Sequence, residues 1–439
     1  MLCRRNLRMT DTVRRALVLL FMMAPARLAA QQPVTRAEAE RAALSAGTRI
    51  ALARADTAAA LARLLTARAL PNPNLAASYT KSVPQKHLSL ELPVFDALFT
   101  RGLRVGQASA SARAARLLYA SERAAALVEV DTTYTRALAA DARFRLSRQT
   151  ARDADSLRMM TVARRDAGDA SDLDVDLATV AAGQQLNVTS GDSLNFMTAL
   201  LTVQTLMGLA ADSVSIVLAD SLILLPTDTI VVQRTLDGGA ITIGVPQPLR
   251  AGNGGGTTSM PLAGVPSVVA AEATLQAADA GIALQQRSIW VLPSLSVGVE
   301  FGDPSGGEPG LLPTIGVALP LPIFNRNQGP IAEARAEREK ARVQLLAARL
   351  EARQKLIQGV RERQQLIAQI ARDRQLVITA QRVADRSITA YREGASALPA
   401  VLEARRSARE VLGQYIDDLA ALLTVNTELR ALTQTVTVP

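Results

Sequence analysis

The sequence predicts a mainly α-helical protein with a small β part suited to a membrane, written twice along one chain. Three observations carry this prediction. Segments recur in one order at a nearly constant offset, two helical patterns each run for more than sixty residues, and short segments alternate apolar with small or polar side chains.

Composition sets the frame. The chain has 439 residues and is 49% hydrophobic but only 3% aromatic, a mixture suited to long helices packed through small side chains. Its N-terminus reads as a secretory signal. Arg4, Arg5, Arg8, Arg14 and Arg15 precede the apolar run "ALVLLFMMA" (16–24), and "ARLAAQQ" (26–32) offers small-residue cleavage near Ala30. Nine apolar residues are too few to span a bilayer. Removing residues 1–30 takes away six arginines and one aspartate, so the net charge falls from +9 to +4. No basic stripe interleaved with aromatics follows, so nucleic-acid binding is not expected. The single cysteine, Cys3, precedes the apolar run, where a lipid-anchor cysteine would have to follow it. The processed chain would therefore carry no thiol, disulfide or thiolate metal site.

The repeat sets the architecture. "LPNPNLAASYT" (70–80) parallels "LPSLSVGVEF" (292–301), and "ELPVFDALFTRG" (91–102) parallels "PLPIFNRNQG" (320–329). "RRDAGDASDLDVDLA" (164–178) parallels "YREGASALPAVLEA" (391–404). Pro93 and Pro322 stand 229 apart, Gly168 and Gly394 226 apart. Each copy therefore has one grammar. A helix (35–68, 266–289) leads to an apolar β segment. A very long helix (103–166, 329–392) then reaches a glycine turn and a returning helix (171–208, 397–433). The expected organisation is a signal peptide 1–30, a first repeat 31–209, a linker 210–265, a second repeat 266–433 and a tail 434–439. The repeats carry β-hairpins near 74–95 and 293–322, and helical tips near 166–172 and 393–398.

In the second long helix, Val343, Leu346, Leu350, Ile357, Val360 and Ile367 follow coiled-coil spacing. At 1.5 Å per residue, some 64 residues extend roughly 95 Å, wider than a globular core. Such helices must project.

The β segments alternate. Leu295, Val297, Val299 and Phe301 share one face, opposite Ser294, Ser296, Gly298 and Glu300. Leu88, Leu90 and Leu92 oppose His87, Ser89 and Glu91, and Ile315, Val317 and Leu319 oppose Thr314, Gly316 and Ala318. Membrane barrel strands need this pattern, although a soluble sheet with one packed face shares it. Windows 74–99 and 290–324 hold six of the thirteen aromatics, namely Tyr79, Phe95, Phe99, Trp290, Phe301 and Phe324, as interfacial girdles would. Two hairpins supply four strands, and an open edge cannot sit in lipid. Two chains would give eight strands around a filled interior, whereas three would give twelve and room for a pore. Pro93, Pro320 and Pro322, with Phe95, Phe324 and Gly329, mark the seam where a strand hands over to a helix.

The leader, the duplicated hairpin-plus-long-helix units, the strand exit "LPLPIFNRNQG" and the turn "YREGASALPAVLEA" together resemble the TolC-type outer membrane efflux proteins. The strand exit is most similar to their cation-efflux (CzcC/CusC-like) branch. The resemblance implies a homotrimer with a twelve-stranded outer-membrane barrel on a periplasmic helical tunnel, in a Gram-negative-type cell. It also implies a periplasmic adaptor (membrane fusion protein) and an inner-membrane pump, often of the resistance-nodulation-division type. The chain would conduct metal cations, drugs or other small molecules passively, without a cofactor. Many relatives carry a lipid on an N-terminal cysteine, which is not expected of this chain. The aspartate common in the family's turn is kept as Asp174 in the first copy, with Pro399 expected in its place in the second.

No catalytic constellation is visible, so an enzyme is not expected. The sole histidine, His87, has no second histidine or processed-chain cysteine to complete a metal site. The tips hold the candidate functional residues. Asp166, Asp169, Asp172, Asp174 and Asp176 would place fifteen carboxylates at one end of a trimeric tunnel, as an acidic collar or gate. Helix capping by "SDLD" (171–174) is the structural alternative. By resemblance, Gly168, Ser171, Leu173, Leu177, Tyr391, Gly394, Ser396, Leu398 and Leu402 are expected to dock the adaptor. The rival reading is a soluble periplasmic coiled-coil adaptor or scaffold, but only two hairpins are found where an adaptor needs many short strands.

Overall fold

The computed structural model describes residues 32–82, 84–92, 99–210, 212, 214, 216–220, 264–288, 293–302, 310–319 and 321–433. The expected leader, most of the linker, the tail, and Pro93, Phe95, Trp290 and Pro320 lie outside these described residues.

The elements run β1 (Gln32–Val34), α1 (Arg36–Ala46), α2 (Thr48–Arg68), β2 (Asn74–Tyr79), β3 (Lys86–Leu92), α3 (Arg101–Asp166) and α4 (Asp172–Leu206). Then come β4 (Ile216–Leu218), α5 (Pro266–Arg287), β5 (Ser294–Phe301), β6 (Leu312–Ala318), α6 (Gln328–Arg392) and α7 (Leu398–Thr433). The second repeat thus reproduces the first, except that a single α5 stands where the first has α1 and α2. The expected single helix over 35–68 breaks at Gly47, whose ψ of 135° leaves the helical region. The break lets the chain ends of two elements approach. A Cβ on Gly47 would sit 2.3 Å from the Ala43 carbonyl oxygen. Gly208, with φ +76°, brings the end of α4 against Ala46.

The two hairpins join edge to edge in one antiparallel sheet of order β2-β3-β5-β6. Its register aligns rows of like side chains. Leu75, Leu90, Val297 and Ile315 form one apolar row, and Ala77, Leu88, Val299 and Pro313 the next. The opposite face carries Ser78, His87, Glu300 and Leu312, then Ala76, Ser89, Gly298 and Thr314, then Asn74, Glu91, Ser296 and Gly316. Along β3 and β6, Leu88, Leu90, Pro313, Ile315 and Val317 are exposed, while His87, Ser89, Glu91, Thr314 and Gly316 are half-buried.

The helices form an arc around α3, the 66-residue hub, about 100 Å long. Toward the sheet the order is α2, α3, α5, α6, and toward the tips it is α4, α3, α7, α6. Small side chains allow the close packing. α6 buries Ala334, Ala341, Ala352 and Gly359, and a Cβ on Gly359 would lie 3.0 Å from Leu429 of α7. The row read as a coiled-coil seam on α6 does not pack inside the chain. Leu346 and Leu350 are 58% and 59% exposed, and Val343, Ile357 and Ile367 are also exposed. On the other flank of the arc, α4 exposes Leu173, Val180, Leu186, Val188, Leu194 and Met197.

The waist is held by a second sheet that the sequence did not reveal. β1 pairs in parallel with β4, linking residues on either side of the whole first repeat. Val34 and Ile216 pack there on Val130, Tyr134, Leu138, Leu200 and Val203. The buried Tyr134 hydroxyl lies 2.9 Å from both the Val34 carbonyl oxygen and an Asp220 carboxylate oxygen. Burial and the Asp220 charge raise its pKa well above the usual phenol range. The Arg36 guanidinium stands 5.6 Å from the centre of the Tyr134 ring and pairs with Asp131. Asp131 also accepts from Thr427 of α7, so both repeats meet at one polar knot. Replacing Tyr134 with Phe takes this hydroxyl from a buried carbonyl and a half-buried carboxylate, and unfolding stability should fall by about 1–3 kcal/mol. Thermal melts of the wild type and Y134F check this.

Candidate functional site

Three regions concentrate the expected functional residues. The first is the sheet. Its amphipathicity is the reverse of a soluble sheet's, because apolar side chains such as Leu75 (66% exposed) and Ile315 (79%) face outward. The sheltered polar face is built from small residues. A Cβ on Gly298 would meet the Leu88 carbonyl oxygen at 2.7 Å, and one on Gly316 the Ser296 hydroxyl at 2.6 Å. His87 sits on this polar face, its Nδ1 3.3 Å from Glu300 Oε1 and its Nε2 3.3 Å from Thr80 Oγ1. Among the described residues, no three His, Cys, Asp or Glu side chains are grouped to hold a metal ion.

The second region is the seam. Leu319, Leu321 and Ile323 are exposed and Phe324 is 93% exposed, with Pro322 half-buried between them. Asn327 closes the seam in the left-handed conformation, φ 60°, and its amide donates to the Gln285 carbonyl oxygen at 2.8 Å. This bond fastens the start of α6 to the end of α5. Gly329 falls in the first turn of α6 with open space around its Cβ position.

The third region is the pair of tips, which share one geometry. In the first, Gly168 (φ +85°) donates to the Arg165 carbonyl oxygen and Asp169 to that of Arg164. In the second, Gly394 (φ +74°) donates to Tyr391 and Ala395 to Ala390. Both are Schellman turns, in which a left-handed glycine satisfies the last helical carbonyls. Superposing the glycines pairs Asp174 with Ala400 and Leu173 with Pro399, one position away from the correspondence expected from sequence. Ser171 and Asp174 form a reciprocal capping box, and the Ser171 hydroxyl and amide hold the Asp174 carboxyl below its ordinary pKa. The second tip replaces this box with Pro399 in the first turn of α7, where no N–H is needed.

The tip residues divide by burial. Ser171, Leu173 (66% exposed), Leu177 and Gly394 are exposed, and Ser396 is half-buried. Tyr391 (4%) and Leu398 (1%), expected to face an adaptor, are buried instead with Leu157, Ala178 and Val401, and Leu402 packs on this cluster. Their side chains shape the tip from within and are not available on its surface. The Tyr391 hydroxyl is 3.2 Å from Thr161 Oγ1, and its ring stacks under the Arg164 guanidinium at 4.6 Å. Arg164 also donates to the Tyr391 carbonyl oxygen, binding the end of α3 to the end of α6. No spacing in the sequence singles out Arg164 or Thr161. Of the five aspartates, Asp174 caps α4, while Asp166 and Asp172 lie 2.6 and 3.9 Å from Arg165. Asp169 and Asp176 are exposed.

A further acid pair was not foreseen, since its members are 45 residues apart on facing helices. Asp373 of α6 and Asp418 of α7 are 9% and 5% exposed. They sit where Ile370, Val377, Tyr415, Leu419 and Leu422 pack together. Gln414 donates to Asp418 Oδ1 at 2.9 Å, while Oδ2 of each aspartate has no other hydrogen-bond partner. Burial, and then the hydrogen bond and charge of Asp418, push the Asp373 carboxyl above its ordinary pKa.

A duplicated helical hairpin bearing four strands is the architecture that the resemblance to TolC-type proteins implied. Residues 258–434 match the family described as outer membrane efflux protein. The pyoverdine export outer membrane protein OpmQ of Pseudomonas putida is 27% identical over 322 residues, covering 70% of this chain. That match spans 62% of OpmQ's length. Among solved structures, VceC of Vibrio cholerae superposes with a TM-score of 0.70 at 16% identity, covering 91% of this chain and 96% of VceC. CmeC of Campylobacter jejuni gives 0.71 at 13% identity over 90% of this chain and 85% of CmeC. CusC gives 0.67 at 17% identity, over 90% and 91% respectively.

The acid pair carries a pH dependence. A carboxyl whose folded pKa is raised holds its proton more tightly in the folded chain than in the unfolded one. Its contribution is full below the ordinary value of 3.8 and is lost as pH rises through the folded value. Asp373→Asn keeps the shape and removes the titration. This variant should gain thermal stability over the wild type at pH 8 and lose that advantage near pH 4, which paired melts would measure.

Proposed function

We propose that this protein is the outer-membrane channel of a tripartite efflux system, conducting substrate passively from the periplasm to the exterior. The observation that carries the reading is the sheet, where Leu75, Leu88, Leu90, Val297, Ile315 and Val317 stand exposed on one face and the edges at β2 and β6 are unpaired. Water penalises such a sheet, whereas lipid accepts it once its edges close. The soluble scaffold reading has no account of these exposed rows.

Closure comes from a homotrimer. Three sheets make a twelve-stranded barrel, and the exposed stripe of α4 meets that of α6 on the next chain. Three arcs then complete a periplasmic tunnel. The resemblance and the relatives' names support this assembly, located in the outer membrane with its helices in the periplasm. A periplasmic adaptor docks at the tips through exposed Leu173 and Leu177 around Gly168, Ser171, Gly394 and Ser396. Tyr391, Leu398 and Leu402 hold those surfaces in place. Asp169 and Asp176, with the partly paired Asp166 and Asp172, form the acidic collar. An inner-membrane pump, of the resistance-nodulation-division type in our reading, supplies the energy. A relative named for pyoverdine export makes a secreted small molecule the cargo class we favour over bare metal cations.

The full chain is 46.5 kDa, so the chain without residues 1–30 is about 43 kDa, and a closed C3 particle about 130 kDa. Native mass of protein extracted from membranes, less bound detergent, should reach that value. Leu346→Glu with Leu350→Glu should shift the particle toward monomer while leaving helical content intact. A detergent-independent monomer or dimer in the wild type would exclude the channel.

A further inference from the structure

The register places one charged side chain on the apolar face of the sheet. Lys86 begins β3 on the same side as Leu88, Leu90 and Leu92, and it is exposed. Its neighbours across the strands are Tyr79 of β2 and Phe301 of β5. The ammonium nitrogen lies 5.7 Å from the Phe301 ring centre, a cation–π distance. Tyr79 is 65% exposed on the other flank. A shallow cavity of about 330 Å³ lies here, lined besides these three by Ala77, Ser78, His87 and Leu88.

The position of this row matters. It is the last row before the 80–85 turn, the end of the hairpin farthest from the helices. The three rows nearer the helices carry no charge on this face. A lysine facing lipid costs about 2–4 kcal/mol at the bilayer midplane but only about 0–1 near the interface. Tyrosine and phenylalanine flanking a lysine also suit headgroup depth. The row therefore marks the outer boundary of the apolar band. Lys81, exposed in the adjoining turn, adds a second positive charge.

We propose that Tyr79, Lys86 and Phe301 form a binding site for the phosphate of an outer-leaflet lipid headgroup, the rings bracketing the ammonium and Ala77 and Leu88 receiving the first acyl carbons. This inference rests on the outer-membrane channel reading. It adds a ligand-binding role to residues on the outside of the barrel, away from the conduction path.

The test uses the assembled full chain in zwitterionic bilayer discs, titrated with a lipid A bearing phosphates, with the same lipid dephosphorylated, and with inorganic phosphate. Native mass spectrometry counts retained lipid. The wild type should retain phosphorylated lipid A about fivefold better than Lys86→Gln, the effect of one lysine near an anionic surface, and Lys86→Arg should keep most of the retention. Equal retention by K86Q, or equal binding of the dephosphorylated lipid, would overturn the site. Displacement of the lipid by millimolar inorganic phosphate would assign a free-ion site and overturn the lipid assignment. Trimers that form and insert in every arm keep the channel reading separate from this result. A wild type that fails to enter the discs would sink both.

Discussion

The fold depends on a sheet that one chain cannot finish. Four antiparallel strands leave the backbone groups of β2 and β6 unpaired, and the side presented outward is apolar. Either feature alone has a remedy in water, such as a covering helix or a charged edge. Together they have one in lipid, where only a closed ring of strands satisfies every N–H and C=O. The small residues on the other face follow from the same constraint. Gly298 and Gly316 have no room for a Cβ, so around them this face of the sheet is lined by backbone and the short side chains of Ser89, Ser296 and Thr314.

The helices carry the same incompleteness along their length. α3 is covered on several sides, by α2, α4, α5 and α7, and works as the spine of the arc. α4 and α6 lie on the flanks of the arc near the tips, and each keeps a stripe of large apolar side chains in the open. Alanines contribute much of the intrachain packing beside buried leucines and isoleucines such as Leu138, Leu200 and Ile416, while further leucines and isoleucines stay on the free faces. The small side chains let long helices lie close within the chain, and the exposed leucines and isoleucines leave hydrophobic area in the open.

Periodicity made the larger elements legible. The repeat, both long helices and both hairpins follow from matched segments, 3.5- and 3.6-residue spacing and dyad alternation, and their bounds differ from the structure by a few residues. The same spacing showed that Val343, Leu346 and Leu350 share a face but not that the face is turned away from the chain, because pattern carries no information about which partner supplies the hole. β1 and β4 escaped for another reason. Three residues cannot display a period, and their pairing spans 184 positions. The tips were found through their glycines, but which apolar residues point inward was not. Tyr391 and Leu398 read as surface anchors until Leu157, Ala178 and Val401 are brought around them by tertiary packing.

The two tips, similar in turn geometry, differ in how they are secured. The first closes on itself, since Ser171 and Asp174 exchange hydrogen bonds and Arg165 gathers Asp166 and Asp172. The second lacks that box and is held from outside. Arg164 leaves the first repeat to cover the Tyr391 ring and bind its carbonyl oxygen, placing a cation at the C-terminus of α6, where the helix dipole favours one. The buried Tyr391 hydroxyl then returns the connection to Thr161. The duplicated halves are therefore not independent levers at this end. A movement that separates α6 from α3 must expose an aromatic ring, release a guanidinium and empty the cluster around Val401 together. Parting the two hairpins within one chain at this end is therefore costly, because several interactions break at once.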